Sequence, residues 1–313
     1  MEFDPDRPMK IAVLGPGGVG GMLAGVLARR GHKVTCLARQ STCDVLAQQG
    51  ITVRSKRFGD FTVEVDAAPT LRSPVDVCLV TVKATQLDAA LERLPPKTLG
   101  HTVIIPFLNG VEHIATLRQA YGDFVVAATV RIEATLVSPG VVEHSSPFAM
   151  VELCLADADQ SARAVTVRAF EQNLSAAGLD VNVRNSEPSM LWGKLSFLAP
   201  LALLTTHERA PAGIVRSVRR ADLLTVVHEV VDVAEHAGAE VDEAAVIRLF
   251  DSIPETMQSS MQRDAAAGRS IEIEAVGGAI LRAARRLNVR TPRTDELVAD
   301  LRRRYATESL PVT

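Results

Sequence analysis

Over the first 185 residues, short apolar runs alternate with longer stretches in which apolar positions recur at helical spacing. Lys10–Leu14, Lys33–Leu37 and Thr102–Pro106 read as strands. Val75–Val82 (VDVCLVTV) is a continuous run of the kind a parallel strand needs when both its faces are buried. Helices are predicted from the glycine loop after Leu14 to Arg30, over Ser41–Gln49 and over Ala84–Leu94, with strand pieces at Ile51–Arg54 and Phe61–Val65. From Val125 to Cys154 β-branched residues dominate, and Ser138-Pro139-Gly140 marks a turn, so a hairpin is expected. Ala158–Ala177 reads as a helix stopped by Gly178, and Asp180–Val183 as a last strand.

Beyond Asn185 only the helical period remains. The stripes predict helices at Pro188–Thr206, Arg219–Ala237, Ile253–Ala267, Ile271–Leu287 and Arg293–Tyr305, the second and third stopped by Gly238 and Gly268. Ser252 and Glu255 have capping-box spacing, and Ser260 is placed mid-helix. Strands alternating with helices, then helices alone, predict an α/β chain. Its expected architecture is an N-terminal Rossmann-type, doubly wound domain over residues 1–185 and a C-terminal all-helical domain over 186–313.

Composition narrows the function. The 313 residues are 47% hydrophobic and 23% charged, with net charge −3. Residues 1–185 carry 18 basic and 19 acidic groups and residues 186–313 carry 16 and 18, so neither part has the basic excess of a nucleic-acid binder. The opening MEFDPDRP is too acidic and polar for a secretion signal, and the charge-free run Leu195–Thr206 is short and contains Pro200, which suits a buried helix rather than a membrane span. Cys36, Cys43, Cys78 and Cys154 form no C-x-x-C pair and read as thiols of a cytoplasmic protein. His144 and His207 lack a second histidine at ligand spacing, so no metal site is expected.

The most specific local signal is Gly15, Gly17 and Gly20, spaced G-x-G-x-x-G between a predicted strand and a predicted helix. Gly15 permits the tight turn, Gly17 lets backbone approach a pyrophosphate, and Gly20 lets helix and strand pack closely. Free N–H groups at the helix start, Gly18 and Val19 among them, can then hold phosphate. An NAD site usually places Asp or Glu about 20 residues on, to bond the ribose 2′-hydroxyl. Here the second strand ends Cys36-Leu37-Ala38-Arg39, with no acid and with a guanidinium that suits a 2′-phosphate. NADP(H) is the cofactor this implies, although an Arg at a strand end can also be merely solvated.

Lys194 stands out by count: from residue 98 onward there are 20 Arg and this one Lys. An amine, unlike a guanidinium, can release a proton near neutrality, and burial moves its pKa toward that range. It can thus be a general acid, or simply a lysine snorkelling from a buried helix. Glu272 can be a first-turn acid, Ser260 a surface serine and Asn109-Gly110 a plain turn.

Taken in order, GPGGVG (Gly15–Gly20), Leu37-Ala38-Arg39, TVKATQ (Thr81–Gln86), Leu108-Asn109-Gly110, LWGKL (Leu191–Leu195), Ser259-Ser260-Met261 and IEIE (Ile271–Glu274) resemble the ketopantoate reductase family, the 2-dehydropantoate 2-reductases, over nearly the whole chain. The resemblance implies a Rossmann domain and a helical domain with the active site in the cleft. It implies that Arg39 reads the 2′-phosphate and that Lys83 and Gln86 border the cofactor. Asn109 would lie between nicotinamide and substrate, Lys194 would be the general acid, Glu272 would orient the substrate hydroxyl and hold the lysine, and Ser260 would contact the substrate carboxylate. The implied reaction is NADPH-dependent reduction of a 2-keto acid, with ketopantoate the leading substrate and a homodimer compatible with it. The family usually has asparagines one and two turns after the lysine; here those positions are Leu198 and Ala202. A less polar keto or hydroxy acid, or a non-catalytic NADPH-binding regulatory protein, are the alternatives.

Overall fold

The computed structural model describes residues 8–156 and 159–305. The chain divides into two compact units. One comprises residues up to Leu108 with His113–Ser186, and the other Asn109–Glu112 with the residues from Glu187 on.

In the first unit β1 (Lys10–Leu14) leads into α1 (Gly18–Arg29), β2 (Lys33–Leu37), α2 (Gln40–Gln49), β3 (Ile51–Ser55), β4 (Phe61–Val63), β5 (Asp66–Ala68) and β6 (Val77–Val80). There follow α3 (Leu87–Leu91), β7 (Val103–Pro106), α4 (His113–Tyr121), β8 (Ala128–Arg131), β9 (Ala134–Ser138), β10 (Val141–His144), β11 (Met150–Cys154), α5 (Ala162–Ala176) and β12 (Asp180–Arg184). The central sheet has the order β5-β2-β1-β6-β7 with every pairing parallel. Successive side chains of β1 go to opposite cores. Ile11 and Val13 pack with Leu23 of α1 and Phe170 of α5, while Ala12 and Leu14 pack with Leu87 of α3 and Leu117 of α4. The sheet is therefore the doubly wound one expected, and its strand order reverses between β1 and β6, where such sheets leave a crevice at their carboxyl ends.

Two smaller sheets complete this unit, β4-β3-β10-β9 and β12-β11-β8. β9 and β10 are the expected hairpin, antiparallel about a turn in which Gly140 takes φ +79°. Burial raises the Cys36 and Cys78 thiols to about 12, which leaves them unreactive. The expected strand Val75–Val82 shortens to β6, and the expected helix Ala84–Leu94 is a single 3₁₀ turn followed by the five-residue α3. The helix expected from Ala158 is seen from Ala162; Ala158 lies outside the described residues.

His144 ties the second sheet together. Only 3% exposed, it has Ser55 Oγ at 2.8 Å from Nδ1 and Ser146 Oγ at 3.0 Å from Nε2. Burial pushes its pKa below the ordinary value, with the Arg57 charge acting the same way against the bond to Phe148. The unfolded chain therefore takes up this proton first. The stabilising contribution is complete above about pH 6.5 and drains away as pH falls toward the lower folded pKa, with a slope of at most about 1.4 kcal/mol per pH unit for one proton. Thermal unfolding between pH 8 and 5 is expected to show a smaller acid-side loss in His144→Gln than in the wild type. An unchanged slope would remove His144 as its source.

Among the described residues the second unit contains helices and no strand, as the sequence predicts. It contains α6 (Glu187–Glu208), α7 (Ala212–Ser217), α8 (Arg220–His236), α9 (Glu243–Ser252), α10 (Ser260–Ala266), α11 (Ala279–Leu287) and α12 (Pro292–Tyr305). α6 carries the Pro200 run and is buried from Ala199 to Thr206, and none of the described helices is long and apolar enough to cross a membrane. Glu229, buried on α8, caps α12 by accepting from the Arg293 and Thr294 N–H groups at 2.8 and 2.7 Å and from the Thr294 hydroxyl.

One helix boundary is corrected. Residues 253–259 are not helical, and Ser252 ends α9 rather than capping the next helix, its hydroxyl donating back to the Leu249 carbonyl. Pro254, lacking an N–H, stops α9 from continuing. The cap of α10 is Ser259, whose Oγ accepts from Gln262 N–H, so Ser260 is the first helical residue instead of a central one.

Candidate active site

In the first unit the glycine loop joins the end of β1 to α1. Gly15 adopts φ +88°, donates to the Leu37 carbonyl at 3.1 Å, and leaves no room for a Cβ against Val82. A Cβ on Gly18 would collide with the Ala134 carbonyl, and one on Gly20 with Thr81 Oγ1 and the Gly15 carbonyl. Gly17 differs. Its backbone angles are open to any residue, and a Cβ there would find no protein atom nearer than the Gly15 oxygen at 3.9 Å. Neither strain nor packing demands glycine at position 17; what it leaves is space in front of the first turn of α1. That turn has no side-chain cap, so its N–H groups, those of Gly18 and Val19 included, are donors the helix itself cannot satisfy. Space and donors together fit an approaching pyrophosphate.

Thr81, in the TVKATQ segment, does work that spacing alone does not announce. Its Oγ1 shares one proton between the carbonyls of Gly15 (2.8 Å) and Leu14 (3.1 Å), pinning the glycine loop to the end of β6. Lys83 stands at the start of the following 3₁₀ turn and Gln86, exposed, at its end. Arg39 follows β2 and is exposed; among the described residues its guanidinium has no hydrogen-bond or ion-pair partner. Its carbonyl, in contrast, accepts from the Thr42 and Cys43 N–H groups at the start of α2. Arg93 braces the same backbone, donating at 3.0 Å to the carbonyls of Ala38 and Pro69.

In the second unit three of the four residues singled out there meet. Lys194 Nζ, on α6, donates to Asn109 Oδ1 at 3.1 Å, and Asn109 Nδ2 donates to Glu272 Oε2 at 3.2 Å. An ammonium only donates and a carboxylate only accepts, so just one orientation of the Asn109 amide satisfies both neighbours. The result is a polarised chain, carboxylate to amide to ammonium, with all three side chains half-buried. Ser260 does not join it. That residue is exposed at the start of α10, while Ser259 bonds Thr205 at 2.9 Å. Leu198 is half-buried and Ala202 buried, one and two turns along α6 from Lys194, so the helix beside the amine offers no polar group at either position.

Close to Asn109 and Glu272 along the chain, Glu112 and Glu274 are both bonded by Arg282, and the sequence assigned none of the three a role. Glu274 is held below the usual carboxylate range, mainly by its bonds to Arg302 and against partial burial. The I-E-I-E repeat contains Glu274, but nothing local in it announces the partners.

The family model described as ketopantoate reductase PanE/ApbA matches residues 11–157, and the model of its C-terminal part matches residues 188–305. The chain is 30% identical over 295 residues to the 2-dehydropantoate 2-reductase of Mycobacterium tuberculosis, covering 92% of this chain and 95% of that protein. It is 29% identical over 300 residues to the uncharacterized oxidoreductase YkpB of Bacillus subtilis, covering 94% and 98%. Among solved structures, the PanE/ApbA family ketopantoate reductase of Ralstonia eutropha matches with a TM-score of 0.84 at 27% identity, over 96% of this chain and 100% of that one.

Proposed function

The chain belongs to the ketopantoate reductase family of oxidoreductases, and from that premise we propose that it is an NADPH-dependent 2-keto acid reductase with Lys194 as its proton donor. The observation that carries this reading is the Lys194–Asn109–Glu272 chain. When bound, the nicotinamide supplies a hydride for the substrate's carbonyl carbon. As negative charge grows on the carbonyl oxygen, the Lys194 ammonium stabilises it and gives up a proton. Asn109 keeps that ammonium in place through Oδ1, and Glu272 keeps Asn109 from turning over. The same carboxylate can accept from the product hydroxyl, and Ser260 can donate to the substrate carboxylate.

On the cofactor side, Gly15, Gly17, Gly18, Val19 and Gly20 would hold the pyrophosphate and Arg39 the 2′-phosphate, with Lys83 and Gln86 alongside. A cytoplasmic location and a homodimer belong to the same proposal. For the substrate, ketopantoate leads because of the family. Leu198 and Ala202 favour a second reading, in which the acid carries an apolar side chain, because a wall without amides gains nothing from a substrate hydroxyl.

The test is a panel of 2-keto acids, ketopantoate included, assayed with purified protein and with NADPH and NADH in parallel. Oxidation of NADPH with at least one member is the expected result, and the rank of ketopantoate against branched apolar members decides between the two substrates. Binding of NADPH with no turnover of any member would leave the regulatory alternative in place of the enzyme.

A further inference from the structure

Segment Asn109–Glu112 and the segment after Glu272 run side by side within the helical unit, joined at three points. At one end is the bond from Asn109 to Glu272. In the middle Gly110, at φ +86°, lies so close to Ala275 that a Cβ would collide with the Ala275 carbonyl oxygen. At the other end Arg282 spans both segments. Its Nε and Nη2 donate to the two oxygens of Glu112 at 2.9 and 2.7 Å, its Nη1 to Glu274 Oε2 at 2.9 Å, and its Nη2 also to the Glu274 carbonyl at 2.7 Å. Arg302 holds the Glu274 carboxylate as well, at 2.7 and 2.8 Å.

We propose that Arg282 is a positioning residue: by gripping Glu112 and Glu274 together it sets the spacing of Asn109 and Glu272, and so aims the amide that receives Lys194. This rests on the reading of those three residues as the reacting set. Glu112 is three residues from Asn109 and Glu274 two from Glu272, so a shift at the clamp reaches the site through very little chain. The side chains of Arg282, Glu112 and Glu274 are 42%, 45% and 52% exposed, and ion pairs so open to water add little to global stability. Their value lies in geometry, because a guanidinium fork fixes both distance and plane.

Two features of the backbone agree. Glu274–Gly278 is a single π-helical turn, a local insertion often found at functional sites, and Arg282 and Arg302 tie its first residue from outside. Gly278, at the end of that turn, has ordinary helical angles, yet a Cβ there would collide with Glu274 Oε2 and press on Arg282 Nη1 at 2.9 Å. The clamp, not the backbone, requires this glycine.

Arg282→Gln, Arg282→Lys and Gly278→Ala are to be compared with Arg285→Gln, which removes a more exposed arginine of the same helix whose ion pair with Asp295 is 4.0 Å long. Misplacing reacting groups by about 1 Å costs on the order of 10²-fold, so kcat is expected to fall about 10–100-fold in the first three, lysine being unable to grip both carboxylates. KM for NADPH should stay within about twofold and Arg285→Gln at wild-type rate. Gly278→Ala should lose kcat while its Tm holds or rises, since alanine favours helix, and a merely structural clamp would not produce that split. Amide hydrogen exchange should quicken together in residues 109–112 and 272–278 of Arg282→Gln. Retention of more than half of kcat by Arg282→Gln, or unchanged exchange in those segments, overturns the clamp. A wild type inactive on every 2-keto acid sinks the reductase reading instead, and exchange then decides the clamp alone.

Discussion

Lys194→Ala is expected to lower kcat by about 10²–10⁴ while the affinity for NADPH changes little. The residues proposed for the cofactor belong to the first unit, and Lys194 belongs to the second. The substitution also removes no packing on which α6 depends, because Leu195, Ala199 and Leu203, not Lys194, carry its buried face. Lys194→Arg separates the two contributions of the ammonium. Arginine keeps the positive charge but does not release a proton at accessible pH, so a rate as low as that of the alanine variant identifies proton donation as the larger part. Recovery of most activity in the arginine variant would identify charge stabilisation alone. Steady-state kinetics with the best 2-keto acid of the panel supply the readout, and full activity in Lys194→Ala would end the proposed mechanism.

The sheet of the first unit was legible because each feature is local. β1 and β2 match the expected strands residue for residue, and the glycines that need open space lie between a strand and a helix only a few residues apart. The long helices were legible for the same reason, α6 as an almost uncharged apolar run and α8 and α12 through their amphipathic period. Short elements were not. α4, α7 and α9 went unmarked, and the helix expected over Ile253–Ala267 forms only from Ser260 onward. Lys194 was conspicuous through composition, whereas its alignment with Asn109 and Glu272 depends on pairs 85 and 163 residues apart. Glu112 and Arg282, 170 apart, are ordinary surface charges until the fold brings them together. No periodicity encodes such a pairing. Thr81 lies between these cases, since it sits inside a marked segment but acts through carbonyls 66 and 67 positions earlier.

Arg39→Ala is expected to weaken NADPH by about 10–100-fold and NADH by no more than about twofold. A hydrogen bond to a charged group contributes about 1.5–3 kcal/mol, and about 1.4 kcal/mol is tenfold, so loss of the guanidinium fits that range. The exposure of Arg39 puts the effect toward the lower end, because water and salt screen the contact. Confinement of the loss to one cofactor follows from the way the loop is built. The start of α2 is capped by the Arg39 carbonyl, which alanine keeps, and Arg93 independently secures Ala38. The loop backbone is therefore held without the Arg39 side chain, and the adenosine of either cofactor would meet the same surface. Dissociation constants of both reduced cofactors, measured for wild type and variant at two ionic strengths, give the answer. A preference for NADPH that shrinks with salt in the wild type and vanishes in the variant assigns the 2′-phosphate to Arg39, and equal losses for NADPH and NADH would refute that contact.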